Sequence, residues 1–189
     1  AHFSLGDMDI QLYNYENKYT NGQLTPVVDD NSNSIISVIT VNGKKIFTAG
    51  DLNNLDYRNE DYYGPIIGKV DMMKFNHHFD AEFSNTPNLL QNLQPSIVVQ
   101  ISSSNPSKNN QLATDVINQL KSYGAELIKA SSAVYDATVF DIRTDGFKNI
   151  STQYPRIPSF TAKWYVEDEV WKYQYATGEH AIGWSEIAG

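Results

Sequence analysis

Residues 35 to 50 read IISVITV, then Asn42-Gly43, then KKIFTAG. Asn-Gly between two runs of β-branched and apolar residues is the strongest short signal for a tight hairpin, because its turn needs positive φ at both central positions. The first of these strands carries apolar side chains on both faces, the pattern of a sheet covered on both sides. A hairpin of this kind belongs inside a layered domain.

The rest of the chain supplies the layers. Residues 8–15 (MDIQLYNY) alternate as a strand, and residues 15–34 are polar and turn-rich. Residues 51–68 (DLNNLDYRNEDYYGPIIG) also read as a long polar loop. VDMMKFNHH (70–78) and SIVVQI (96–101) read as strands, and between them Thr86 and Pro87 mark the N-cap and first position of a short helix. Leu112, Val116, Ile117, Leu120 and Tyr123 fall at helical spacing, with Gly124 placed as a C-terminal cap. AELIKA and DATVFDI then read as strands. A hairpin followed by alternating helices and strands predicts a mixed α/β domain. Beyond Ile142 the composition changes: residues 147–160 read as a linker, and residues 161–189 hold all three tryptophans.

Composition narrows the chemistry. The 189 residues include no cysteine, which removes disulfides, thiolate catalysis and Cys-type zinc or iron–sulfur sites. A net charge of -8 argues against a nucleic-acid partner, whose phosphates need Lys and Arg. A hydrophobic share of 41% excludes wholesale disorder. No apolar run approaches the roughly 20 residues of a transmembrane helix.

His77 and His78 form the chain's only adjacent histidine pair, at the exit of one predicted strand, while Gly50-Asp51 ends another. If these strands are neighbours, a carboxylate and an imidazole emerge at one sheet edge, both ligand types for zinc or manganese. On a strand, adjacent side chains point to opposite faces, so one of the two histidines would face the site. Two ligands are fewer than the three or four that a metal site needs. Spacing alone favours the plainer alternative of a solvated acid after a strand glycine and solvated histidines at a strand exit.

Three stretches carry a resemblance that shifts this balance: NSNSIISVITVNGKKIFTAGD, GKVDMMKFNHHFD and ATVFDI. In this order they resemble the metallo-β-lactamase-fold hydrolases, in particular the competence-protein-like branch. With GDMDIQLYNYEN and YDATVFDIRTDGF added, the chain is similar over most of its length to the choline-binding teichoic-acid phosphorylcholine esterases. The resemblance implies that residues 1–146 form the C-terminal half of a catalytic αββα sandwich. It implies two zinc ions in the intact enzyme, with Asp51 bridging both and His78 holding one. His77 would then stand behind a ligand or contact the substrate phosphate. Calcium is a further implied cofactor.

The family's H-x-H-x-D-H signature is missing, and the remaining histidines are His2 and His180. The expectation is therefore a fragment that needs the N-terminal half of the catalytic domain to complete its site. An isolated half would also expose one broad apolar sheet face. The run Asp29–Ser34 matches the family's N-S stretch, with an Asx-type turn as the plainer reading. Lys74, Asp71 and Asp80 read as strand-end surface residues, and His2 as an exposed residue near the terminus.

Trp164, Trp171, Tyr173 and Trp184, with Gly178 and Gly183, resemble about one choline-binding repeat. Aromatic faces hold a quaternary ammonium by cation–π attraction, since that cation forms no hydrogen bonds. The implied partners are choline and phosphorylcholine-bearing teichoic or lipoteichoic acid, and the implied setting is secreted and attached to a bacterial cell wall. Two alternatives stay open: a catalytically inactive wall-binding module, and a nuclease as in the competence relatives, which the acidic charge disfavours.

Overall fold

The computed structural model describes residues 1–16, 18–101, 110–129, 138–151, 163–167 and 170–174. The fold is mixed α/β. Its centre is a seven-stranded sheet of β1 (His2–Leu5), β2 (Met8–Tyr13), β5 (Ile36–Val41), β6 (Lys44–Thr48), β7 (Met72–Lys74), β8 (Ile97–Gln100) and β9 (Glu126–Lys129), in that spatial order. The strands from β1 to β6 pair antiparallel, and those from β6 to β9 pair parallel. A minor two-stranded ribbon, β3 (Tyr19–Thr20) with β4 (Gln23–Leu24), lies in the loop before β5. The predicted hairpin joins β5 to β6, with φ of 51° at Asn42 and 73° at Gly43.

Helices α1 (Asn59–Ile67), α2 (Pro87–Leu93) and α3 (Asn110–Ser122) make the crossovers between successive parallel strands. Right-handed crossovers that always advance in one direction place every helix on the same face. The core obeys this. Across the sheet, Val38, Phe47, Met73 and Val98 stand in one register row, each 3% exposed or less, and pack with Ile67, Leu90, Leu93, Val116 and Leu120 from the helices. The opposite face carries the row Ile10, Ile39, Ile46, Met72 and Ile97. Of these only Met72 is buried, and none belongs to the core cluster. Among the described residues, the expectation of a sheet covered on both sides is met on one face.

Two segments differ from the sequence reading. Residues 59–67 are helical rather than loop. Their local signals are poor: Arg58 caps the helix in a left-handed conformation without a side-chain bond, and Gly64-Pro65 lies inside. Packing on α2 and the burial of Asn59, Glu60 and Ile67 outweigh that weak propensity. The strand expected at 70–78 ends at Lys74, and the histidines lie beyond it. Helix α3 follows its predicted stripe except that Ala113 is buried where Leu112 is 37% exposed.

Strands β10 (Phe140–Arg143) and β11 (Gly146–Asn149) pair as a hairpin that straddles the boundary expected between residues 146 and 147. Asn42 Nδ2 donates to the Ile142 carbonyl at 2.8 Å. Strands β12 (Lys163–Glu167) and β13 (Val170–Gln174) form a separate antiparallel pair. No helix among the described residues is long and apolar enough to cross a membrane.

Candidate functional site

Because β6 and β7 run parallel, their carboxyl ends lie side by side, and antiparallel β5 brings its amino end to the same edge. In open α/β sheets the carboxyl ends of parallel strands are the usual place for ligands. Here that edge gathers residues 29–34, Gly50-Asp51 and the histidine doublet. Gly50 turns the chain with φ of +56°, a conformation glycine adopts without steric cost, and so presents Asp51 at the edge.

The doublet sits in an unusual turn. His77 (φ 47°), His78 (φ 54°) and Phe79 (φ 72°) are three consecutive non-glycine residues in the left-handed region. Such residues cost on the order of 1–2 kcal/mol each, and they persist where surrounding contacts over-determine them. The turn swings the two imidazoles apart by means other than strand alternation. His78 Nε2 comes to 3.5 Å from Asp51 Oδ1, with side chains 54% and 40% exposed. His77 turns elsewhere: its Nδ1 lies 3.6 Å from Asp80 Oδ2, and its Nε2 lies 3.5 Å from Asn31 Nδ2. His77 Nδ1 is nevertheless a buried atom with no completed hydrogen bond.

Polar contacts stitch this edge together. His77 N donates to Gly50 O at 3.2 Å. Lys74 Nζ donates to Gly50 O at 2.9 Å and to Phe75 O at 2.8 Å, so Lys74 is a brace rather than a free surface residue. Burial pulls the Lys74 ammonium below the usual lysine range, while nearby Asp51 pushes it back up. Asp80 Oδ1 accepts from Glu82 N at 2.9 Å, which fixes the carboxylate that faces His77. The expected Asx-type turn is present: Asp29 Oδ1 accepts from Asn31 N at 2.9 Å. Buried Ser32 anchors that turn to the loop after Asp51, with its hydroxyl 2.6 Å from Asn53 Oδ1 and 2.8 Å from Asp56 Oδ2. Hydrogen bonds from Val28 N, Ser32 and Asp29 N hold the Asp56 carboxyl below its ordinary range.

The structure thus brings Asp51 and His78 together and leaves His77 in a second pair with Asp80. Both donors suit a zinc ion: ligand atoms about 2.0–2.1 Å from a tetrahedral metal stand roughly 3.3 Å apart, close to the observed 3.5 Å. Among the described residues no group of three or more His, Asp or Glu side chains converges on one point. A carboxylate and an imidazole can open a tetrahedral coordination sphere there and leave half of it to other donors.

In the β12–β13 pair, Trp164 stands opposite Tyr173, with ring centroids 5.0 Å apart and planes tilted by 58°. Trp164 is 56% exposed. Trp171 lies opposite Val166 in the register, and Trp184 falls outside the described residues.

No family model matches the chain, and no curated protein matches it.

Sequence reasoning missed the support beneath the doublet. Glu60, Asn76 and Asn85 are each 2% exposed or less and are mutually bonded. Two of the three lay in segments read as loop or strand, and buried polar partners leave no periodic trace in a sequence.

Proposed function

We propose that this chain carries part of the active site of a metal-dependent phosphodiester hydrolase that releases phosphorylcholine from teichoic or lipoteichoic acid at a bacterial cell surface. The observation that carries the reading is the approach of Asp51 Oδ1 to His78 Nε2 at the sheet edge. The family resemblance supplies the substrate class. The two-ligand set among the described residues and the half-buried second sheet face both favour a further catalytic half packed on that face.

On this reading Asp51 and His78 hold metal. Zinc there supplies Lewis acidity and brings the ionisation of water toward neutral pH. Gly50, gripped by Lys74 and His77 N, keeps the Asp51 carboxylate at the edge. Asp80 lies on the Nδ1 side of the His77 ring, and the contact of the ring's Nε2 with the Asn31 amide marks where a phosphoryl oxygen would be received. Measurement of zinc content and of p-nitrophenylphosphorylcholine hydrolysis, on the chain alone and joined to the polypeptide encoded ahead of it, tests the reading. Absence of both zinc and turnover in both forms rejects it.

The Trp164–Tyr173 pair, in which Trp164 is exposed, favours a second reading, a choline-binding surface module. Two tilted aromatic faces are two walls of a cation–π cage. Retention on a choline resin, lost on Trp164→Ala, supports that reading.

A further inference from the structure

A buried carboxylate lies directly beneath the histidine turn and faces hydrogen-bond donors: the backbone N–H groups of Asn85 and Thr86, the Asn76 amide and the Thr86 hydroxyl. Glu60 is fully buried on the first turn of α1. Its Oε1 accepts from Asn76 Nδ2 at 2.7 Å and from Asn85 N at 2.8 Å, and its Oε2 accepts from Thr86 N at 2.7 Å. No cation pairs with it among the described residues. A buried charge without a counter-ion is expensive, and it is tolerated only where hydrogen bonds compensate it.

Those bonds lead straight to the turn. Asn76 is the residue before His77, and the demand of Glu60 for a donor sets its amide orientation, leaving Asn76 Oδ1 buried without a partner. Asn85 completes the clamp. Its Oδ1 accepts from Asn76 N at 2.9 Å, and its Nδ2 donates to Asn76 O at 3.0 Å and to Asp80 O at 2.9 Å. Asn85 therefore grips the backbone on both sides of the three left-handed residues. Phe79 closes the turn from the apolar side by stacking on Phe75, with centroids 4.2 Å apart.

We propose that Glu60 and Asn85 are positioning residues that hold the His77–His78–Phe79 turn left-handed and thereby aim the His78 imidazole at Asp51. The consequence for metal affinity rests on the proposed hydrolase reading, whereas the effect on the turn does not.

Identity at position 60 is decisive. Glutamine would keep one acceptor oxygen and set an NH2 group against an N–H, so it matches the shape but not the chemistry. Asn85→Asp likewise keeps an acceptor and replaces two donated bonds by repulsion from two carbonyls.

The test compares wild type, Glu60→Gln, Asn85→Asp and, as a control for lost stability away from the edge, Leu120→Ala. Positive φ brings an amide proton close to its own Hα, so NMR reads the turn as strong intraresidue amide–Hα NOEs at residues 77–79. Calorimetric titration with zinc reads the aim of His78. Glu60→Gln and Asn85→Asp should lose the NOEs and weaken zinc binding about tenfold or more, while Leu120→Ala changes neither. Persistence of the NOEs in a folded Glu60→Gln and a folded Asn85→Asp overturns the proposal. Should Glu60→Gln not fold, Asn85→Asp, which leaves the buried charge in place, decides alone. Wild type that shows the NOEs but takes up no zinc, even with the upstream polypeptide, rejects the hydrolase reading and leaves the NOE comparison to judge the brace.

Discussion

The two faces of the central sheet are made from neighbouring residues of the same strands, yet they are in different states. Phe47 is fully buried beneath the helices, whereas Ile46, one residue earlier on β6, is only half-buried on the other side. Strand alternation distributes apolar residues to both faces, but three crossovers of one handedness spend all three helices on one of them. Hydrophobic character therefore marks which residues are fit for burial. Connectivity decides which are buried.

The sharpest way to break this comparison is a pair of adjacent truncations read by urea denaturation. Phe47→Ala should cost about 3–5 kcal/mol, as expected for an aromatic removed from a packed core. Ile46→Ala should cost about 1 kcal/mol, because much of its surface already meets water. Equal costs would show that the second face is as well packed as the first.

A smaller effect concerns the boundary between the helix layer and the sheet edge. Glu60→Gln should cost about 1–3 kcal/mol through one lost bond and one opposed donor. Its pH dependence sharpens the test. Burial, working against its hydrogen bonds, raises the Glu60 carboxyl above its ordinary range. A raised folded-state pKa means a stabilising contribution that is full below the unfolded value of about 4.3 and fades as pH rises through the folded value. Wild type should show that decline, and Glu60→Gln should lack it. Asp56 and Asp61, both lowered, work in the opposite direction: their contribution is present above the unfolded carboxylate range and is lost as pH falls through their folded values. Denaturation midpoints measured from acid to neutral pH separate the two trends.

At the edge where the two faces end, Asp51→Asn should weaken zinc binding at least tenfold, or about 1.4 kcal/mol, in calorimetric titration, with little change in thermal midpoint. Loss of stability without loss of affinity would make Asp51 a structural residue. The smallest expected change is His77→Gly. Glycine accepts φ of 47° without steric cost, so stability should hold or rise by less than about 1 kcal/mol. The strain at His77 is then a feature kept for something other than folding.

Much of the architecture was legible residue by residue. Asn42-Gly43 announced its hairpin, Thr86-Pro87 the start of α2, and the spacing up to Tyr123 the extent of α3. Helix α1 was not, because its own residues argue against it and only contact with α2 and the sheet favours it. Asp51 and His78 could be named as an acid and an imidazole at strand ends. The separation of His78 from His77 could not be read correctly, since the doublet leaves the strand and enters a left-handed turn with no glycine to signal it. Glu60 and Asn85 were illegible for a related reason: a buried hydrogen bond between distant segments imposes no period on either.

By itself, the sequence determined the elements whose causes lie within one turn or one strand: steric preference, capping and apolar period act over a few residues. Only the tertiary structure decided which sheet face the helices cover, that residues 51 and 78 meet, and that a buried carboxylate holds the turn that carries His78. Those outcomes depend on strand order and crossover handedness, which join groups far apart along the chain through packing that no local stretch encodes.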